Sequence, residues 1–294
     1  MANLKEVRLR ITSVNSTQQI TKAMKMVSAA KLRRAQNAIQ QLRPYANKLR
    51  DILENLSSTL EESDGSQFAK VRPVNNVLII AVNSNRGLAG AFNANIVRTV
   101  NRLLNEDYKD QVKSGNVKVM AIGKKASDFF SKNRPAVYLE HHNEIYANLT
   151  FENVSKIAEG VMADFTAAKY DRVVVVYNQF KNAAVQNVIN EQLLPIQPPA
   201  KAENSKVKND YIFEPSKEEI VLELIPKSIK TQLYKAILDS HASEHGARMT
   251  AMNKATDNAG ELLKELRLSY NKARQAAITN EILEIVAGAE ALNG

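Results

Sequence analysis

The chain has 294 residues, 40 basic against 31 acidic, with 44% apolar, 6% aromatic and 24% charged residues and neither cysteine nor tryptophan. These values exclude a disulfide framework, thiol catalysis and a thiolate metal site, and few aromatics point to aliphatic helix packing. The longest apolar runs, Val77–Val82 and Val173–Tyr177, fall far short of the ~20 residues of a membrane helix, and charges stand where a secretory signal needs apolar residues, so a soluble, intracellular chain with two structural regions is expected.

The first 50 residues hold five lysines and six arginines against Glu6 alone, a local excess comparable to the +9 of the whole chain. Such a segment suits a targeting peptide, a nucleic-acid arm or a helix facing an acidic partner. Tyr45 is its sole aromatic residue, too few for base stacking.

Residues 1–60 contain no glycine and only Pro44, which predicts one long helix. Leu32, Ala35, Ile39, Leu42, Ala46, Leu49, Leu53, Leu56 and Leu60 alternate by three and four, the seam of a coiled coil. Leu4, Val7, Ile11 and Val14 hold the same phase. Between them the seam positions are polar, Gln18, Thr21, Lys25 and Ser28, and the apolar stripe is expected to move to Ile20, Met24 and Val27. A sequence that gives up seam stability locally marks a functional stretch. Pro44 predicts a kink.

The middle reads as α/β. Val77–Val82, Val117–Ile122 and Val173–Tyr177 suit buried parallel strands, with helical spacing over 88–105, 124–132 and 151–169. Asn83 to Gly90 follows the first strand and could turn around a phosphate, yet neither the dinucleotide nor the Walker glycine pattern is present. Gly123-Lys124 has Lys118 where a Walker glycine is required and lacks the following Ser or Thr. A tight turn with Arg86 exposed at its tip is the expectation. Residues 195–209, rich in Pro, Lys and Asn, read as a mobile loop.

The C-terminal region reads as a second long helix, with a capping box at Ser216 and Glu219 and an early interruption at Pro226. Met252, Ala255, Ala259, Leu262, Leu266, Ser269, Ala273 and Ala276 give its seam, which then moves to Ile278, Ile282, Ile285, Ala289 and Leu292. His241-Ala242-Ser243-Glu244-His245 matches a zinc-binding spacing, but no third ligand is specified, and two helix-surface histidines are expected instead. No catalytic arrangement stands out. The expected fold is therefore α/β plus a long antiparallel α-helical coiled coil. The terminal helices, roughly 85 and 100 Å long at 1.5 Å per residue, form a protruding rod beside a central Rossmann-like domain. Domains are expected at 1–62 (N-terminal helix), 73–212 (central α/β domain) and 213–292 (C-terminal helix), with no catalytic residue, cofactor or metal.

Ile20-Thr21-Lys22-Ala23-Met24-Lys25-Met26-Val27-Ser28-Ala29-Ala30-Lys31-Leu32 resembles the N-terminal hallmark of the gamma-subunit family of F-type ATP synthases. Ser243 to Met249, Ala255 to Ala259, Lys272 to Gln275 and Ile278 to Ala289 are similar to its C-terminal helix, and Ser84 to Gly90 and Asp210 to Pro215 to two further segments. The resemblance runs the full length in order. It implies a non-catalytic central rotor shaft that couples ion flow through a membrane rotor to ATP synthesis or hydrolysis in a ring of three alpha and three beta subunits. Its implied partners are those subunits, epsilon and the c-ring, with acidic beta-subunit loops facing the basic helix and no nucleic acid. Association with the membrane is implied to be indirect, on the cytoplasmic side of a bacterial inner membrane. Met24, Lys25, Arg86, Arg274, Gln275, Thr279 and Glu281 are implied to contact the catalytic ring, and Tyr211 and Phe213 to lie near the c-ring. Two other readings remain: a basic coiled coil binding DNA, and a Rossmann-type enzyme using the Gly87–Gly90 turn.

Overall fold

The computed structural model describes residues 4–55, 67–196 and 217–293. They form two compact units: Met1–Ser28 with Arg248–Gly294, and Ala29–Ala247.

The elements are α1 (Leu4–Asn55), β1 (Val77–Val82), α2 (Phe92–Arg102), α3 (Lys109–Lys113), β2 (Val117–Ile122), α4 (Lys124–Asn133), β3 (Tyr138–His141), α5 (Phe151–Thr166), β4 (Arg172–Phe180), β5 (Gln186–Leu194) and α6 (Lys217–Asn293). A π-helical turn, Leu103–Asp107, follows α2. The strand order is β3-β2-β1-β4-β5, with β1 parallel to β2 and β4, β2 parallel to β3, and β5 antiparallel to β4. β1 is buried along its whole length, as a central strand covered on both faces requires.

Alternate β1 residues point to opposite faces. Leu78, Ile80 and Val82 pack under α5 and the Ile225–Ile237 stretch of α6, while Val77, Ile79 and Ala81 pack under α2 and α4. Asp171 fixes the entry to the sheet, because its Oδ2 accepts from the Asn75 and Asn76 amides at 3.1 and 2.9 Å. The sheet contains two strands beyond the three apolar runs, β3 and β5. Both are edges with mixed polar sequences.

In the second unit Leu32, Ala35, Ile39 and Leu49 of α1 are buried, the phase expected from the heptad. The helix runs unbroken through Pro44, and α6 runs through Pro226, which does not interrupt it. Around Pro44, Arg43 and Tyr45 are exposed. A carbonyl deprived of its amide partner there can bond water instead, which lets the helix continue. The expected capping residue Ser216 lies outside the described residues, as do Leu56, Leu60 and most of the 195–209 segment.

Candidate interaction surfaces

The first unit pairs the start of α1 with the second half of α6. Gln18 Nε2 donates to the Thr256 carbonyl at 3.4 Å, the Thr21 and Thr256 hydroxyls meet at 2.8 Å, and Lys25 Nζ donates to Asn253 Oδ1. Numbers rise along one helix as they fall along the other, so the pair is antiparallel. Gly260 makes room for this layer, since a Cβ there would stand 3.0 Å from Gln18 Nε2. Asn253 Nδ2 in turn donates to Asp257 Oδ2 at 3.1 Å.

The polar stretch of α1 thus keeps the seam phase. Thr21 and Ser28 are buried, whereas Ile20 and Val27 are 59% and 58% exposed. The polar residues hold the seam positions through hydrogen bonds, Thr21 and Lys25 to Thr256 and Asn253 of the facing helix and Ser28 to the Met24 carbonyl of its own. Ile20 and Val27 are left outside, and Met24 is half-buried. On α6 the buried register also differs from the sequence reading. Leu263 is 5% exposed and Leu262 39%, and Tyr270 rather than Ser269 is half-buried. The contact therefore follows Met252, Thr256, Ala259, Leu263, Leu266, Tyr270 and Ala273. Both readings obey three-four alternation, so spacing alone could not separate them.

Every residue from Ala277 to Ala291 is exposed. The expected seam at Ile278, Ile282 and Ile285 is solvent-facing, as are Leu283 and Val286. Arg274, Gln275, Thr279 and Glu281 lie on this surface, where Thr279 Oγ1 donates to the Gln275 carbonyl at 2.9 Å. An aliphatic patch of this extent on a helix marks an interaction site. Met24 and Lys25 are half-buried members of the first unit, beside Asn253. Counted along α6 at 1.5 Å per residue, Asn253 and Arg274 are about 30 Å apart. The structure therefore makes two surfaces of the predicted residues rather than one. Arg86 is exposed in the second unit, and Tyr211 and Phe213 lie outside the described residues.

In an open α/β sheet of this order, ligands bind beyond the strand ends at the switch point, here between β1 and β4. That crevice is filled by the chain itself. Ser243 Oγ donates to the Asn178 carbonyl at 2.9 Å, Asn178 Nδ2 donates to the Phe92 carbonyl at 3.4 Å, and Ala247 packs with Ala89 and Phe92. A Cβ at Gly246 would come within 3.2 Å of Ala183 Cα, so this glycine permits the close passage of the β4–β5 turn. The Asn83–Gly90 turn is likewise held by its own side chains. Ser84 Oγ donates to the Arg86 carbonyl at 2.6 Å, and Asn85 bridges the Asn143 carbonyl and the Lys124 amide at 2.8 and 2.9 Å.

The two histidines do not both lie on the helix surface, since His241 is half-buried and His245 buried. His245 is 5% exposed, its ring 4.5 Å from that of His241 with the Nε2 atoms 3.1 Å apart, and His241 stacks on Tyr146. Tyr146 donates to the Asn83 carbonyl at 2.8 Å, and burial first, then Glu244, raises its pKa well above the usual tyrosine value. No metal-ligand cluster of three acidic, histidine or cysteine residues occurs among the described residues. The pair links α6 to the β1 turn. Sequence reading missed this role because burial of a helix on every side leaves no periodic signal. It also missed Asn253 and Asp257, for which a polar seam opposite the Thr21–Lys25 stretch was an available clue.

A family model described as ATP synthase matches residues 3–292. The chain is 60% identical over 294 residues to the ATP synthase gamma chain of Christiangramia forsetii and 60% identical to that of Flavobacterium johnsoniae, with 100% of each chain covered in both comparisons. Among solved structures it is similar to a chain of the central stalk and c-ring of Tetrahymena thermophila mitochondrial ATP synthase. The TM-score is 0.60 at 28% identity, covering 80% of this chain and 99% of that one. A chain of the Euglena gracilis mitochondrial enzyme shares the fold with a TM-score of 0.69 at 23% identity, covering 98% and 94%. The family match over residues 3–292 and 60% identity to two ATP synthase gamma chains over the whole length place the chain in the ATP synthase gamma-chain family.

Proposed function

We propose that the chain is the central rotor shaft of an F-type ATP synthase, a non-catalytic subunit that couples ion flow through a membrane rotor to ATP synthesis or hydrolysis in a ring of alpha and beta subunits. The observation that carries this reading is the bare apolar helix surface Ile278–Val286, several residues of which are about half exposed or more. A surface of that kind has a partner, and family membership supplies one.

The mechanism follows from differential contact. Three identical catalytic sites around one asymmetric shaft meet different faces of it, so each has a different nucleotide affinity. Linkage then requires that nucleotide binding exert torque on the shaft. In this reading Arg274, Gln275, Thr279 and Glu281 contact the ring at the α6 surface, while Met24 and Lys25 contact it at the polar layer. Arg86 is a third ring contact, Tyr211 and Phe213 lie toward the c-ring, and the α/β domain is a foot on that ring beside epsilon. The exposed basic residues of the α1 arm, among them Arg8, Arg10 and Lys22, face acidic loops of the ring. No helix of the described chain is long and apolar enough to cross a membrane. In this reading the chain associates with the membrane through the complex, on the cytoplasmic side of a bacterial inner membrane.

The test is ATP hydrolysis by purified alpha and beta subunits with and without this chain, and by the chain alone. A chain that is inert by itself but assembles a complex with much faster multisite turnover supports the reading. Hydrolysis by the isolated chain, or failure to assemble with its cognate subunits, contradicts it.

A further inference from the structure

The second unit holds a cavity of about 550 Å³ between α1, the β4–β5 hairpin and α6. That volume is in the range of small-molecule sites. Ile39 and Leu42 from α1, Ile196 after β5 and Ile225 from α6 give it an aliphatic wall. Four charged residues also line it: Glu191 and Asp239, Arg43 and Lys235. Their net charge is zero, but they are not placed equally. Arg43 is exposed and Lys235 half-exposed, so both heads keep water. Glu191 is held by the chain, its Oε2 accepting from Tyr177 Oη and its Oε1 from Gln232 Nε2, each at 2.8 Å.

Asp239 differs. It is 4% exposed, yet it makes no hydrogen bond or ion pair among the described residues. A buried carboxylate without a donor is costly, and a cation bearing N–H groups is what relieves it. An anion entering the same space would meet two carboxylates at its buried end.

We propose that this cavity binds an amphipathic small molecule carrying a protonated amine, its apolar body against Ile39, Leu42 and Ile225 and its ammonium paired with Asp239. The site is separate from the surfaces assigned above and does not rest on the shaft reading.

The pH response is a second mark of the site. Burial raises the Asp239 carboxyl to about 6, with Lys235 and Arg43 opposing the shift and Glu191 adding to it. The amine needs the ionised form, so its binding weakens as pH falls below about 6.

The test is calorimetric titration of the full chain with three probes of one shape: 3,3-diphenylpropylamine, the corresponding alcohol and the corresponding carboxylate. At pH 7.5 the amine is expected to bind at least tenfold more tightly than the alcohol, and the carboxylate most weakly. Going to pH 5 is expected to remove about tenfold of the amine's affinity, since a group titrating near 6 is about one-tenth ionised there. Asp239→Asn is expected to erase the amine's advantage while leaving the alcohol unchanged. Ser228→Trp, which puts an indole into the cavity, is expected to block both. Equal binding of amine and alcohol, preference for the carboxylate, absence of binding by all three, or amine binding that survives Asp239→Asn in folded protein would overturn the proposal.

Discussion

Thr21 and Thr256 bring their hydroxyls to 2.8 Å across the antiparallel helix pair, at a place where heptad spacing asks for two apolar side chains. Each hydroxyl also reaches backwards along its own helix, Thr21 to the Gln18 carbonyl at 3.0 Å and Thr256 to the Met252 carbonyl at 2.8 Å. Two hydroxyl protons serve these three contacts, so one threonine donates back to its own helix while the other donates across, and both oxygens stay satisfied. With Lys25 and Asn253 beside them, they keep the seam in phase while the stripe through Ile20 and Val27 stays on the outside.

A satisfied polar pair of this kind contributes little net stability. Changing both residues to valine is expected to leave thermal unfolding of the chain within about 1 kcal/mol of the parent, in either direction, because two apolar groups of similar shape replace two satisfied hydroxyls. A double-mutant cycle is expected to give a coupling of about 0.5–1 kcal/mol. A loss of several kcal/mol in the double variant would mean that the layer carries the helix pair.

Leu262 and Leu263 discriminate between the two possible seams. Leu263→Ala removes a side chain that is 5% exposed and is expected to cost about 2–3 kcal/mol, against less than about 1 kcal/mol for Leu262→Ala, which is 39% exposed. Chemical denaturation of the two variants checks the order. The reverse order would restore the register read from the sequence.

What the sequence made legible was the part governed by continuous apolar runs. β1 and β2 begin and end as expected because Val77–Val82 and Val117–Ile122 are buried between helices on both faces. β3 and β5 were not legible, since Tyr138–His141 is only four residues long and Gln186–Leu194 carries Asn, Glu and Gln along an edge. Leu262 and Leu263 fit one heptad equally well. His245 and Glu244 could not be read as buried, because α6 is covered all round there and burial no longer follows helical period. The site residues that came from resemblance, such as Arg274 and Glu281, have no periodic or compositional mark of their own.

Gly123 fixes the close approach of two turns. Its φ is +111°, and a Cβ there would stand 2.1 Å from the Asn83 carbonyl oxygen. Gly123→Ala combines backbone strain with a clash against main chain that is itself buried, and is expected to cost about 3 kcal/mol or more. Loss of the folded second unit in circular dichroism, or a strongly lowered melting temperature, is the expected readout. Parent-like melting would show that the Asn83 turn can move away.

Asp239 makes stability depend on pH. Its carboxyl is raised from the ordinary aspartate value of 3.8 to about 6 in the folded chain, chiefly by burial. The folded state therefore holds its proton more tightly than the unfolded one, and stability is highest below about 4 with respect to this group. It declines between about 4 and 6, by about 3 kcal/mol in total at 1.36 kcal/mol per unit. Asp239→Asn is expected to remove that decline and to raise the melting temperature at pH 7. Denaturant midpoints of both proteins at several pH values check it, and a parallel pair of curves would contradict it.

Arg274 is exposed on the bare stretch of α6, so Arg274→Glu is expected to change folding by less than about 0.5 kcal/mol. Coupling is expected to suffer more, with ATP-driven ion pumping in membranes reduced while the subunit still assembles. Unchanged pumping would remove this residue from the ring contact.

Rotation of this chain within the assembled complex is the most direct measurement. The absence of native cysteine allows one label to be placed at will, and Asp110, with its side chain 91% exposed on α3 of the second unit, is a suitable position for Asp110→Cys. With the alpha and beta subunits fixed to a surface and a bead on that cysteine, added ATP is expected to drive sustained rotation in one direction. ATP hydrolysis by the same complex with a bead that stays still would contradict the shaft reading.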